Sequence, residues 1–187
     1  MSRSSMRVLT GDLRGRRLKV PPGVRPTEGR VREALASMWR GRLDGASVLD
    51  LFSGSGAVGL EALSLGASRV CFVDSAPRVL SALKENTAGL KSSGKPVLEI
   101  VRGQLPEALN RRLWRPFDVI FADPPYAFEE YDALLAAALP HLADGGEMIL
   151  EHSIRSSWED AEPTGFALAE QRTYGETRLS FFTRATS

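Results

Sequence analysis

The sequence has 187 residues, 43% of them hydrophobic and 25% charged, which suits one α/β domain with a small extension rather than two full domains. No apolar run approaches the roughly 20 residues of a membrane-spanning helix, and the N-terminal residues lack the apolar stretch of a signal peptide. One cysteine, Cys71, and two distant histidines, His141 and His152, do not fit a zinc site or a histidine-based nucleophile. We therefore expect a cytoplasmic protein with neither a metal nor a membrane segment, and we expect it to be a monomer.

Basic residues are concentrated at the N-terminus. Residues 1–42 contain 11 Lys and Arg residues and 3 acidic ones, a net charge of +8, whereas the rest of the chain carries −7. A basic segment on an acidic body favours a polyanionic partner such as nucleic acid, although a solvated basic face would have the same composition. We divide the chain into a basic β-hairpin arm, residues 1–26, and a second domain, residues 27–187.

The arm and the segment after it have recognisable local patterns. Short β-prone runs at residues 6–10 and 16–20 flank a turn with glycine and aspartate, which predicts a β-hairpin. Pro21, Pro22 and Gly23 then interrupt regular structure. Apolar residues recur at helical spacing over residues 31–39, and Thr27 is expected to cap the N-terminus of that helix.

From residue 47 onward, apolar strand patterns alternate with helical ones. Two further β-prone runs, 166–173 and 178–183, have no helix between them and predict an antiparallel hairpin at one sheet edge. The alternation predicts a Rossmann-like α/β fold, with a mostly parallel sheet, helices on both faces and the strand C-termini along one ligand-binding edge. The predicted strands are 47–52, 69–74, 97–101, 117–122 and 147–152. The predicted helices are 57–65, 105–113 and 129–142, with a further helix that begins at residues 75–77.

A glycine motif follows the first predicted strand. The run from Asp50 to Gly59 contains G-x-G-x-x-G between a strand and a helix, a pattern typical of a nucleotide-binding turn, although a purely structural tight turn has the same requirements. The Asp50 carboxylate would repel a pyrophosphate and suits a ligand with a sulfonium and an ammonium group, so the motif favours S-adenosylmethionine over NAD. Asp74, at the end of the second strand, could accept hydrogen bonds from ribose hydroxyls or act as a helix N-cap.

The sequence Asp123-Pro124-Pro125-Tyr126 directly follows the fourth predicted strand and so falls on the same edge as the glycine turn. An exocyclic base amine is a poor nucleophile, and acceptors around its N–H bonds stabilise the charge that develops during attack. The Asp123 carboxylate and the Pro124 carbonyl could serve as these acceptors, held rigidly by the two prolines. Tyr126 could stack on an extruded base.

These motifs resemble those of class I methyltransferases that act on exocyclic amines. Over residues 6–184 the chain resembles one branch in particular, the bacterial RsmD-type methyltransferases, which form N2-methylguanine in small-subunit (16S) ribosomal RNA. The matching segments are MRVLTGDLRGRRLKVP, RPTEGRVREALASMW, VLDLFSGSGAVGLEALSLGAS, FDVIFADPPY and YGETRLSFFTR. The resemblance implies a seven-stranded fold with an N-terminal hairpin, S-adenosylmethionine as cofactor, and ribosomal RNA within the small subunit as partner.

The resemblance also assigns roles by motif position. It implies that Asp123 to Tyr126 hold the guanine. The implied cofactor site comprises Asp50, Phe52, Ser53, Gly54, Gly56, Asp74, Ser75, Gln104, Leu105 and Asp123, and the implied RNA contacts are Arg14, Arg16, Arg17, Lys19, Arg25, Thr27 and Arg30.

Gln104 departs from the family pattern, which usually has an aspartate at this position facing the adenine amine of the cofactor. A glutamine carbonyl can accept the same hydrogen bond without the charge, so we expect cofactor binding to be retained at reduced affinity. A solvated loop residue is the other interpretation of Gln104.

Three other functions are compatible with parts of the sequence. Adenine-N6 and protein-glutamine methyltransferases use a similar D/N-P-P-Y motif, but they generally begin it with asparagine or carry separate target-recognition segments. A nicotinamide oxidoreductase could use the glycine turn, although Asp50 and the proline turn disfavour it. A non-catalytic RNA-binding protein with a decayed methyltransferase core would not require the intact Asp123–Tyr126 motif.

Overall fold

The computed structural model describes residues 6–23, 27–90, 96–110, 116–156 and 165–185, and these form a seven-stranded sheet with helices packed against it. The strands are β1 Ser47–Leu51, β2 Arg69–Asp74, β3 Val97–Arg102, β4 Phe117–Ala122, β5 Leu142–Ser153, β6 Phe166–Tyr174 and β7 Thr177–Arg184. The helices are α1 Gly29–Trp39, α2 Ala57–Ser64, α3 Pro77–Thr87 and α4 Tyr131–Ala138, with short 3-10 helices at Glu107–Asn110 and Leu139–His141.

The strand order is β3-β2-β1-β4-β5-β7-β6. Strands β1 to β5 pair in parallel, whereas β7 pairs antiparallel with both β5 and β6. The predicted fold is therefore confirmed, including the antiparallel C-terminal hairpin at one edge of the sheet. Parallel order places the C-terminal ends of β1, β2 and β4 side by side, which brings the glycine turn, Asp74 and the proline turn to a common edge.

Apolar side chains on the two faces of the sheet form two cores. One core unites the sheet with α1, α2 and α3, and it contains fully buried residues such as Leu35, Trp39 and Phe72. The other unites the sheet with α4 and the 3-10 helix before β4. Cys71 lies within the sheet at 0% exposure, and burial raises the pKa of its thiol to about 12. It is a buried apolar residue rather than a reactive thiol.

Four local predictions were wrong. The helix expected over 129–142 ends at Ala138 and continues as a 3-10 helix, and β5 begins at Leu142 instead of 147, since Pro140 cannot donate the backbone hydrogen bond that an α-helix requires. The helix expected over 105–113 is a 3-10 turn over Glu107–Asn110, and residues 111–113 lie outside the described residues. Thr27 does not cap α1, because the capping position is Glu28 and no side chain caps the helix.

Residues 6–20 fold back on themselves and pack into the α1–α3 core. Arg7 and Arg17 form an antiparallel bridge, and the Leu18 amide donates to the Met6 carbonyl at 2.8 Å. Met6 and Val8, with Leu13 and Leu18, are buried in the core. The basic hairpin is therefore fixed to the body along its apolar side.

Polar side chains from α2 and α3 reinforce this attachment. Glu61 of α2 is 1% exposed, and its carboxylate accepts hydrogen bonds from the backbone amides of Leu9 (2.8 Å) and Thr10 (2.7 Å). Asn86 of α3 accepts from the Lys19 amide at 2.8 Å and donates to the Ser55 carbonyl at 2.8 Å. Because Ser55 belongs to the glycine turn, Asn86 connects the hairpin to that turn directly.

Among the described residues, no helix is long and apolar enough to cross a membrane.

Candidate active site

A cavity of about 730 Å³ opens at the C-terminal edge of the parallel strands. The glycine turn after β1, the end of β2 and the proline turn after β4 all contribute to its wall. Its lining includes Phe52, Ser53, Gly54, Asp74, Ser75, Asp123, Pro124, Pro125 and Tyr126. The structure thus brings together the glycine and proline motifs, which are more than 60 residues apart in the sequence.

The glycine turn depends on backbone conformations that favour glycine. Gly56 caps α2 in the left-handed region, with φ +76°, and a Cβ there would lie 2.5 Å from Cδ2 of Leu83. Phe52 also has a positive φ of 56°, an unfavourable conformation for a bulky side chain. It places the Phe52 ring on the cavity wall, where it meets Phe128 edge-on at 5.2 Å.

Asp50 lies behind the turn and is not among the residues that line the cavity. It is only 2% exposed, and its Oδ2 accepts a hydrogen bond from the Gly59 amide at 3.0 Å. This corrects the expectation that its carboxylate projects into the pocket. Burial is the main cause that raises the Asp50 pKa well above its usual value, and Asp123 and Asp74 add electrostatic repulsion.

Asp74 borders the cavity, and both of its carboxylate oxygens contact backbone amides. Oδ2 accepts from Gly54 at 3.1 Å, and Oδ1 accepts from Ala76 at 2.9 Å. These contacts fix Asp74 between the glycine turn and the start of α3. The capping position of α3 is Ala76, so Asp74 is not the N-cap of that helix.

The proline turn presents groups of very different exposure. Asp123 is half-buried and Pro124 is buried, whereas Tyr126 is 70% exposed at the cavity rim. The Asp123 backbone continues the pairing of β4 with β1, because Ala122 lies opposite Leu51. Asp123 therefore lies next to the start of the glycine turn, where its amide donates to the Leu51 carbonyl, and the accessible Tyr126 ring follows three residues further along.

Thr27 reaches the Asp123 carboxylate across the cavity edge. Its Oγ1 donates a hydrogen bond to Oδ2 of Asp123 at 3.0 Å, although the two residues are 96 positions apart. Thr27, predicted as an RNA contact, is thus in direct contact with the first residue of the proline turn.

Sequence reasoning missed two parts of the cavity wall. One is aromatic: Phe128 packs edge-on against Tyr131 at 5.4 Å, and both line the cavity. The other is polar and comes from the end of β5, where Glu151, His152 and Ser153 line the cavity. The rule that ligands bind at the C-terminal ends of parallel strands applies to the fifth strand as well and could have identified this second group.

Four residues of the implied cofactor site lie away from the cavity lining, and Asp50 is one of them. Gly56 supports the turn from behind, Gln104 is exposed, and Leu105 is buried in the second core. The Gln104 backbone carbonyl accepts the Ala108 amide at 2.8 Å, and the Pro106 carbonyl accepts the Leu109 amide at 3.0 Å in the 3-10 helix that follows. A role for these residues in binding stays a prediction.

The residues expected to contact RNA fall into distinct structural groups. Arg14, Arg17 and Arg30 are exposed. Arg16 instead donates to the Ala88 carbonyl at 2.9 Å, and Lys19 forms an ion pair with Glu85 at 2.7 Å. Arg25 lies outside the described residues.

The sheet has the strand order of a class I methyltransferase fold, in which β7 runs antiparallel to its neighbours. The glycine turn after β1 and the proline turn after β4 fit the same fold. Its structural neighbours include methyltransferases. The solved structure "Putative methyltransferase yhhF from Escherichia coli" superposes with a TM-score of 0.81 at 29% identity, covering 98% of this chain and 99% of that one. A family profile described as "Conserved hypothetical protein 95" matches residues 6–183, and the chain belongs to this family, the RsmD family.

Curated relatives cover almost the whole chain. The "Putative rRNA methyltransferase YlbH" of Bacillus subtilis is 33% identical over 184 residues, 95% of this chain and 98% of that protein. The "Ribosomal RNA small subunit methyltransferase D" of Escherichia coli is 32% identical over 186 residues, 96% of this chain and 90% of that protein.

The described residues contain no cluster of three or more His, Cys, Asp or Glu side chains suited to a metal ion.

Proposed function

We propose that this protein transfers a methyl group from S-adenosylmethionine to the exocyclic N2 of a guanine in small-subunit ribosomal RNA. The observation that carries the proposal is the shared cavity, in which the glycine turn and the Asp123–Tyr126 turn form adjoining walls. A methyl donor and an acceptor base must lie in contact for a direct displacement, and this arrangement provides for both.

The cavity suits S-adenosylmethionine in size and charge. Its volume of about 730 Å³ falls within the range of roughly 300–1,000 Å³ usual for small-molecule sites. Among the described lining residues, carboxylates outnumber cationic side chains. The carboxylates are those of Glu28, Asp74, Asp123, Glu129 and Glu151, and the cationic side chain is that of Arg155. This balance favours a ligand carrying sulfonium and ammonium groups over a pyrophosphate. The same balance disfavours the nicotinamide alternative.

The protein's own groups would bind and orient the two reactants. S-adenosylmethionine supplies an electrophilic methyl group on its sulfonium when bound. Asp74 would hold the nucleoside end, and Phe52 would contribute apolar surface. The Asp123 carboxylate and the Pro124 carbonyl would accept hydrogen bonds from the N–H groups of the amine and stabilise the positive charge that forms on nitrogen. Two consecutive prolines limit backbone rotation at these acceptors, and the exposed Tyr126 ring would stack on the base.

Two findings support ribosomal RNA as the substrate. Relatives of nearly the same length include rRNA methyltransferases by name. The N-terminal hairpin also presents exposed Arg14 and Arg17 on a folded support, and basic side chains are the main contacts of proteins with phosphate backbones. The guanine-N2 target rests on the family resemblance.

The proposal is tested by incubating the protein with methyl-labelled S-adenosylmethionine and small-subunit RNA, bare or assembled, from cells lacking the gene. Nuclease digestion and mass mapping should locate one N2-methylguanine. DNA and protein fractions serve as competing acceptors, and label in N6-methyladenine or glutamine would refute the target.

Asp123→Asn should lower the rate at least about 100-fold, because one charged acceptor at the amine is lost. Binding of S-adenosylhomocysteine, measured by its effect on melting temperature, should persist. Asp144→Asn is the matched control, since Asp144 is fully exposed and outside the cavity lining. Equal activity of the two variants would remove Asp123 from the reaction.

A further inference from the structure

Thr27 makes a contact that neither its sequence position nor an RNA-binding role explains. It precedes α1, lines the cavity and donates its hydroxyl to Oδ2 of Asp123 at 3.0 Å. We infer that Thr27 is a positioning residue that holds the Asp123 carboxylate in its reactive orientation. The inference rests on the proposed function, because it assigns Thr27 a part in the same methyl transfer.

The Asp123 carboxylate is attached through two rotatable side-chain bonds, and the Thr27 contact restricts their rotation. The backbone of Asp123 is fixed by β4 and by Pro124, but rotation about two side-chain bonds would still move the carboxylate oxygens. Asp123 is also half-buried, so water can compete for its oxygens. A hydroxyl donor at one oxygen restricts that rotation and fixes the direction of the carboxylate plane. An acceptor that must meet a base amine at hydrogen-bond distance loses efficiency when it is displaced by about 1 Å.

Thr27 is well supported for this task. Its β-branched side chain has few χ1 rotamers. It lies two residues before Gly29, where α1 begins, and α1 is anchored by Val31 and Leu35, which are 0% and 1% exposed. The hydroxyl therefore lies directly before a helix that belongs to the main core, and the contact links this helix start to the end of β4.

Positioning and RNA contact predict different kinetics. A residue that only binds RNA contributes equally to ground and transition states, so its loss raises KM for RNA. A residue that orients the carboxylate acts in the transition state, so its loss lowers kcat. These two roles are therefore separable in one set of variants.

The test uses the full-length protein with the labelled assay on small-subunit RNA. Thr27→Val keeps the side-chain shape without the hydroxyl, Thr27→Ala provides a second hydroxyl-free variant, and Thr27→Ser restores the hydroxyl. Thr173→Val is the matched control, because Thr173 is exposed on β6 and outside the cavity lining. Melting curves with and without S-adenosylhomocysteine verify that each variant folds and binds the cofactor product.

We expect kcat to fall about 10- to 100-fold in Thr27→Val and Thr27→Ala, in line with the loss of one hydrogen bond to a charged group. KM for S-adenosylmethionine and for RNA should stay within about two-fold, and Thr27→Ser should recover most of the rate. A raised KM for RNA at unchanged kcat, or a Ser variant as slow as the Val variant, would overturn the inference. An inactive wild-type protein would instead count against the proposed function.

Discussion

Glu61 is a buried polar contact between the N-terminal hairpin and α2, and Glu61→Gln isolates its contribution. The wild-type carboxylate is 1% exposed and accepts the amides of Leu9 and Thr10 on separate oxygens. An amide side chain offers one oxygen and one NH2 group, so one of these backbone donors would face another donor. Arg32, which is 8% exposed, would also lose an opposite charge that offsets the cost of its burial.

The expected loss follows from these contacts. A hydrogen bond to a charged group contributes about 1.5–3 kcal/mol, and a buried donor left unsatisfied costs a similar amount. Because the two effects overlap at one site, we expect a total of about 3 kcal/mol. For a domain of this size, each kcal/mol shifts the melting temperature by roughly 2–4 °C, so Glu61→Gln should melt about 6–12 °C below the wild type.

The matched control is Glu85→Gln, which makes the same chemical change at the exposed ion pair with Lys19, where the side chains are 53% and 59% exposed. Exposed pairs contribute about 0–1 kcal/mol, so this variant should melt within a few degrees of the wild type. Thermal melting and amide hydrogen exchange at Leu9 and Thr10 are the measurements. Equal melting temperatures for the two variants, or unchanged protection of both amides, would refute the reasoning.

Two further predictions concern charge. The raised pKa of Asp50 means that the folded state binds the Asp50 proton more tightly than the unfolded chain does, so stability should fall as pH rises from about 4 towards the folded pKa. Asp50→Asn should make this decline smaller in thermal melts from pH 4 to 8. Parallel plots of melting temperature against pH for the variant and the wild type would contradict the prediction. Reversing Arg14 and Arg17 to Glu should weaken RNA binding and reduce its salt dependence by about two counterions, without lowering the melting temperature. Arg16→Glu should also destabilise the hairpin, because Arg16 donates hydrogen bonds to backbone carbonyls at the C-terminal end of α3. Unaltered salt dependence in a filter-binding assay would exclude the hairpin as the RNA contact.

Local pattern was enough to predict most of the fold. The strands β2 and β4 have the predicted bounds, and β1, β3, β6 and β7 differ from prediction by one residue at some ends. Apolar runs of this length between helical segments have few alternatives in a chain of this size. The errors cluster where competing local signals meet, as at Pro140, where an apolar helical pattern gives way to a 3-10 helix and an early start of β5.

Side-chain direction was much harder to predict than element order. The sequence indicates that Asp50 precedes the glycine turn, but its burial against the Gly59 amide depends on how closely α2 packs on β1. Lys19 and Arg16 have the composition of an RNA-binding arm, yet both contact α3. Such pairings depend on contacts between residues more than 60 positions apart, which one sequence alone does not specify.

The sequence alone determined the order of strands and helices along the chain and the placement of the glycine and proline motifs at strand ends. These features follow from hydrophobic periodicity, from the conformational freedom of glycine and from the fixed φ of proline. Only the tertiary structure brought the Thr27 hydroxyl to the Asp123 carboxylate and fixed Glu61 under the hairpin. The physical reason is that a hydrogen bond between distant residues requires a particular distance between their elements, and that distance depends on the packing of the whole domain.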